Sequence, residues 1–106
     1  MAVDRSQMLL EMLEKSPGDA FARYALAMEL TKKGDARGAL RQYEVLISFS
    51  PDYVPAYQMA GQLLAGMGDG EIARQWLLKG IEIASKTGNL KARREMEDLL
   101  DELSDE

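Results

Sequence analysis

The chain has 106 residues, 46% of them hydrophobic and 29% charged, and a formal net charge of −5. That length suffices for one domain burying roughly 60 to 70% of the surface its unfolded chain would expose, and the balance is that of a globular protein rather than a disordered one. With no Cys and no His, disulfides, thiolate nucleophiles, imidazole bases and nearly all zinc or haem chemistry are excluded.

No stretch approaches the roughly 20 consecutive apolar residues that a spanning helix needs. Asp4 and Glu11 interrupt what would have to be the apolar region of a secretory leader, so a cytoplasmic chain with no membrane partner is expected. The charge is uneven, because Glu95, Glu97, Asp98, Asp101, Glu102, Asp105 and Glu106 close the sequence with no basic residue among them. No cluster of Lys and Arg marks a nucleic-acid surface, and none is expected as partner.

The first predicted element is a helix over residues 4–15, with Leu9 and Leu13 on one face. A second helix lies between Asp19 and Lys33, where Ala20, Tyr24, Ala27 and Leu30 recur at helical spacing beside Phe21, Ala25 and Met28. Asp19 is its N-cap and Gly34 supplies a left-handed C-terminal turn. Asp35 caps the third helix at once, over residues 36–48, with Ala39, Leu40, Tyr43, Leu46 and Ile47 on one face. So short a connection makes the two helices antiparallel neighbours. Pro51 interrupts, Asp52 is read as the next N-cap, and Pro55 falls in a first turn, where its missing N–H costs little. The fourth helix runs to about Met67, the fifth from Gly70 to about Lys86, and Thr87, Gly88 and Asn89 end it. The sixth places Ala92, Met96, Leu99, Leu100 and Leu103 on one side and its acidic residues on the other.

A ladder runs through these elements. Pro17 recurs as Pro51, Gly34 as Gly68, Asp35 as Asp69 and Ala39 as Ala73, a spacing of 34 residues. A fixed period in this range marks an array of supersecondary units, none of which buries its apolar face alone. Extended backward, the ladder sets Leu9, Leu13 and Pro17 against Tyr43, Ile47 and Pro51, so residues 4–15 read as the second helix of a half unit. The expected organisation is a single domain over 1–106. It comprises the half unit at 4–15, one repeat at 19–50, a second at 52–86 and a capping helix at 89–104. A Gly inside a helix costs about 0.5 to 1 kcal/mol relative to Ala. Gly61 and Gly80 are therefore expected where another helix comes too close for a side chain, with Ala27, Ala39 and Ala73 at the same crossings.

This pattern resembles the tetratricopeptide repeat family over residues 17–83. Leu26, Ala27, Leu30, Ala39, Tyr43 and Pro51 meet the family positions in the first unit, and Tyr57, Gly61, Leu64 and Ala73 in the second. Arg23, Leu46, Ala60, Leu77, Gly80 and Ser85 depart from them. The resemblance implies an all-α fold of antiparallel helix-turn-helix repeats stacked as a short right-handed solenoid of about six helices. It also implies a concave groove, lined by the first helix of each unit, that takes a peptide or helix of a partner protein. On this sequence that groove shows Phe21, Tyr24, Met28 and Thr31, then Gln58, Gln62 and Ala65. Met, amide and aromatic side chains suit such recognition. Whether the final helix covers part of the groove stays open.

The Lys, Asn and Arg clamp by which some members hold acidic C-termini is missing, since Tyr24, Met28, Gln58 and Gln62 stand in its places. Lys91, Arg93 and Arg94 read as solvated charge, pairing along their helix with Glu95, Glu97 and Asp98. Trp76 offers a further contact on the outer face, set against packing on a neighbouring helix. The Met residues suggest adaptable packing. The acidic end lacks the Gly-interrupted pattern of a calcium loop, and Gly66, Gly68 and Gly70 have neither the preceding strand nor the Lys of a phosphate loop. No metal, cofactor or catalytic residue is expected. The reading is a non-catalytic adaptor or scaffold that binds a protein or peptide. The alternative is a self-associating module, a homodimer, with no peptide ligand.

Overall fold

The computed structural model describes residues 4–104, all helix and turn. Met1, and Asp105 and Glu106 of the acidic run, lie outside the described residues. In order come α1 (Ser6–Lys15), α2 (Ala20–Lys32), α3 (Ala36–Phe49), α4 (Val54–Gly66), α5 (Gly70–Thr87) and α6 (Leu90–Ser104). The chain divides into two compact units, residues 1–53 and 54–106, the first holding α1 to α3 and the second α4 to α6. No helix among the described residues is long and apolar enough to cross a membrane.

In the first unit, α1 starts where the Asp4 carboxylate accepts the Ser6 N–H at 2.9 Å. Leu9 and Leu13 on its inner face form a buried cluster with Ala22 and Leu26 of α2. The turn after α1 is closed by the Asp19 N–H on the Ser16 carbonyl at 3.0 Å, with Pro17 and Gly18 between them. Asp19 then caps α2, its carboxylate accepting the Ala22 N–H at 3.0 Å. At the other end Gly34 takes φ 85°. Its N–H reaches the Thr31 carbonyl at 3.1 Å and that of Asp35 reaches Leu30 at 2.9 Å, the paired bonds of a Schellman turn. Asp35 caps α3 through Gly38 at 2.9 Å. With so little chain between them, α2 and α3 pack antiparallel along Ala27 and Ala39, both 0% exposed.

The second unit repeats the turn. Gly68 has φ 82°, and its N–H and that of Asp69 close on Ala65 at 3.1 Å and Leu64 at 2.9 Å, although the Asp69 side chain makes no cap bond. Gly88, at φ 75°, ends α5 in the same way, and the Asn89 side chain accepts the Ala92 N–H at 3.2 Å to open α6. Gly61 and Gly80, each inside a helix, sit at close approaches, as their cost requires. A Cβ on Gly61 would lie 2.5 Å from Leu77 Cδ2; one on Gly80 would lie 2.6 Å from Met96 Sδ and 2.7 Å from Tyr57 Cβ. Gly80 is thus where α4, α5 and α6 meet.

One boundary differs from the sequence reading. Asp52 does not cap α4. The Tyr53 N–H bonds the Ser50 carbonyl at 3.1 Å, so Pro51 and Asp52 fill a turn equivalent to Ser16–Asp19 and the helix begins at Val54. The ladder itself places Tyr53, not Asp52, opposite Asp19, and the turn geometry outweighs the capping preference of Asp.

Candidate functional site

The residues expected to line a groove do different work within each unit. On α2, Phe21 is 72% exposed. Tyr24 is half-buried, its ring centroid 6.2 Å from that of Tyr43 and 5.7 Å from that of Tyr53. Met28 accepts the Tyr43 hydroxyl on its sulfur at 3.3 Å. Thr31 is exposed, but its hydroxyl donates to the Ala27 carbonyl at 2.9 Å. Burial pushes the Tyr43 hydroxyl well above the usual tyrosine range, with the neighbouring Tyr24 adding to it. Tyr24 and Tyr53 are raised as well, by burial first and then by Tyr53 and by the Asp19 carboxylate respectively. All three phenols therefore remain neutral donors through the physiological range.

On α4, Gln58 is half-buried and donates to Glu95 of α6 at 3.0 Å, so the last helix engages this residue. Gln62 is exposed and Ala65 half-buried. Trp76 is half-buried against α4, with its ring 5.8 Å from that of Tyr57. Of the pairs expected along α6, Arg93 to Glu97 forms at 3.4 Å, while Glu95 turns to Gln58 instead.

Three features were not foreseen. Arg23 does not leave a gap where an aromatic is usual. Its guanidinium donates to Gln42 Oε1 at 2.7 Å and to the Pro17 carbonyl at 2.9 Å, and it lies 6.0 Å from the centre of the Phe49 ring, so it ties α2 to α3 and to the preceding turn. Second, an apolar groove of about 410 Å³ runs between α1 and α2. Met8, Leu9 and Met12 line it from α1, Phe21, Ala25 and Met28 from α2, and Arg5, Glu29 and Lys32 edge it. Met8 is 53% and Met12 41% exposed, so these methionines face solvent rather than fill a core. Third, Ser6 is buried beside the Asp4 carboxylate that its backbone N–H bonds. The ladder held a signal for the groove, since Met8 and Met12 stand in register with Trp76 and Gly80. Among the described residues no group of three or more acidic side chains is placed to hold a metal ion.

Paired antiparallel helices, Schellman turns one period apart and small residues at each crossing define a helix-turn-helix repeat protein. No protein-family model matches the chain. The crystal structure of a tetratricopeptide repeat domain protein from Salinibacter ruber is 35% identical to it, covering 81% of this chain and 96% of that one with a TM-score of 0.76. The chain belongs to the tetratricopeptide repeat family, whose fold is a protein–protein interaction module. A TPR repeat-containing protein of Pseudomonas aeruginosa is 28% identical over 88 residues, 83% of this chain and 84% of the relative. The TPR2B domain of yeast Sti1, solved in a complex with pHsp70, superposes with a TM-score of 0.87 over 94% of this chain and 80% of that one. At 21% identity it bears on the fold alone.

Proposed function

We propose that this chain is a non-catalytic adaptor that binds a peptide or helix of a partner protein through the first helices of its two repeats. The residues assigned to binding are Phe21, Tyr24, Met28 and Thr31 on α2 of the first unit, and Gln58, Gln62 and Ala65 on α4 of the second. The observation that carries the reading is Phe21, a large ring left 72% exposed in a groove that Met28 also lines. An exposed aromatic with adaptable apolar neighbours is the composition of a recognition hot spot. Tyr24 supports the surface from within, through Tyr43 and Tyr53. The test is affinity capture from native lysate with wild type and with the double variant Phe21→Ala, Gln62→Ala, both checked for equal melting temperature. Loss of specific partners from the double variant is expected; an identical set of captured proteins overturns the reading.

A further inference from the structure

The groove between α1 and α2 has an internal counterpart that shows what fills it. Two periods on, Met8 corresponds to Trp76, Leu9 to Leu77, Met12 to Gly80 and Met28 to Met96. In the second unit those four residues gather around α4. Trp76 packs at a tilt against Tyr57, Leu77 abuts Gly61, and Gly80 meets both Tyr57 and Met96. Leu9 is buried like Leu77, but Met12 is 41% and Met8 53% exposed where Gly80 is buried and Trp76 half-buried, and Met28 is half-buried where Met96 is fully buried. The α1–α2 pair thus presents the bed of a helix that, among the described residues, it does not hold.

Two substitutions on that bed set the chemistry of its occupant. Arg5 stands where the second unit has Ala73, and Lys32 where it has Leu100. Arg5 takes part in no ion pair or side-chain hydrogen bond among the described residues, and Lys32, 65% exposed, meets only Glu29 at 3.7 Å. Glu29 shares this edge with Arg5 and Lys32 and neutralises one of the two cations, so the edge keeps a single net positive charge in a chain of net charge −5. Two copies facing each other here would oppose like charges, which argues against self-pairing. In the second unit the α4–α5 packing runs antiparallel, with Tyr57 near Gly80 and Gly61 near Leu77. The position of Ala73, and with it Arg5, therefore falls beside the second half of the seated helix. Met12 in place of Gly80 removes the room that Tyr57 uses, so a side chain smaller than Tyr is required opposite it.

We propose that the α1–α2 groove is a docking site for an amphipathic α-helix of a partner protein, with apolar residues toward Met8, Met12 and Phe21 and carboxylates in its second half toward Arg5 and Lys32. This shares Phe21 and Met28 with the proposed adaptor surface and depends in addition on α1. The probe is a hydrocarbon-stapled peptide of the α4 sequence, Val54–Gly66, carrying Tyr57→Leu, Gln62→Glu and Ala65→Glu. It is titrated into the isotope-labelled full chain beside a twin with Lys at positions 62 and 65. The acidic peptide is expected to shift the amide signals of Met8, Met12 and Phe21 and to bind about tenfold tighter than its twin. Arg5→Glu is expected to erase that preference and Met8→Glu to abolish binding, each at an exposed position and each with unchanged melting. Binding weaker than about 1 mM by both peptides, equal affinity for the two, shifts confined to residues 54–104, or a dimer in light scattering that Met8→Glu dissolves would each overturn the proposal. Because Gln58 and Gln62 of the chain itself lie outside this groove, failure here leaves the adaptor test unaffected.

Discussion

The contact between first and second helix is made of different chemistry in the two repeats. In the first, Arg23 of α2 donates to Gln42 of α3 at 2.7 Å; one period later the Tyr57 ring of α4 meets that of Trp76 of α5 at a tilt, their centroids 5.8 Å apart. The positions beneath exchange as well. Ala27 and Tyr43 become Gly61 and Leu77, and Leu46 becomes Gly80. Where the outer helix carries a Tyr whose hydroxyl finds the Met28 sulfur, Ala suffices across from it. Where a branched Leu presses inward, only Gly fits. The period is therefore a constraint on backbone spacing and summed volume rather than on residue type, as close-packed interiors tolerate when total volume is kept.

The comparison breaks most visibly if the close approaches are filled. Gly80→Ala meets the Cβ of Tyr57, a backbone-tethered atom that cannot swing aside, and Ala39→Leu enters a site that is 0% exposed. Each is expected to destabilise by about 1 to 3 kcal/mol in chemical denaturation, and for Gly80→Ala this exceeds the helix-propensity gain of about 0.5 to 1 kcal/mol. An unchanged midpoint for either would remove the crossing as described. The next effect is smaller. Double-mutant cycles to Ala on Arg23 with Gln42 and on Tyr57 with Trp76 are expected to give coupling of about 0.5 to 1.5 kcal/mol in each pair. Simple additivity in one cycle would show that the exchange is not an equivalent one. The smallest effect is electrostatic. The Ser6 backbone N–H and then Lys33, 3.0 Å away, hold the Asp4 carboxyl down at about 2 against an ordinary 3.8. Since the folded value is the lower one, this stabilisation is present above 3.8 and is lost as pH falls through 2. Melting temperatures of wild type and Asp4→Asn should converge over that interval, and added salt should shrink the gap at neutral pH. A gap constant with pH would remove the Asp4 role.

Much of this was legible because glycine, proline and small residues carry local meaning. Pro17 and Pro51, the Gly34 and Gly68 turns, and the close approaches at Gly61 and Gly80 each follow from what one residue's backbone or volume permits. Asp52 is a deceptive signal because its N-cap preference, worth about 1 kcal/mol, points one residue away from the position that the register gives to Tyr53. Arg23 was read as a departure because its three partners lie 6 to 26 positions away in the chain, and side-chain spacing along one helix cannot report them. The engagement of Gln58 by Glu95 was hidden for the same reason, and it gives the final helix a polar tie to α4 in addition to its apolar seam at Met96. Met8 and Met12 carry the plainest signal of all, since they stand in register with Trp76 and Gly80, which in the second unit face α4.

The three glycine turns have a kinetic consequence as well. Each joins helices through a connection so short that closing it costs little chain entropy, and the contacts that follow are between residues near in sequence. A chain built this way has a low contact order, which places its folding among the fast helical domains. Either helix hairpin, α2 with α3 or α4 with α5, can act as the first structured element, as in other repeat proteins. A residue with a side chain at Gly34 or Gly68 would strain the left-handed turn and thereby slow the hairpin it closes, leaving the other free to lead.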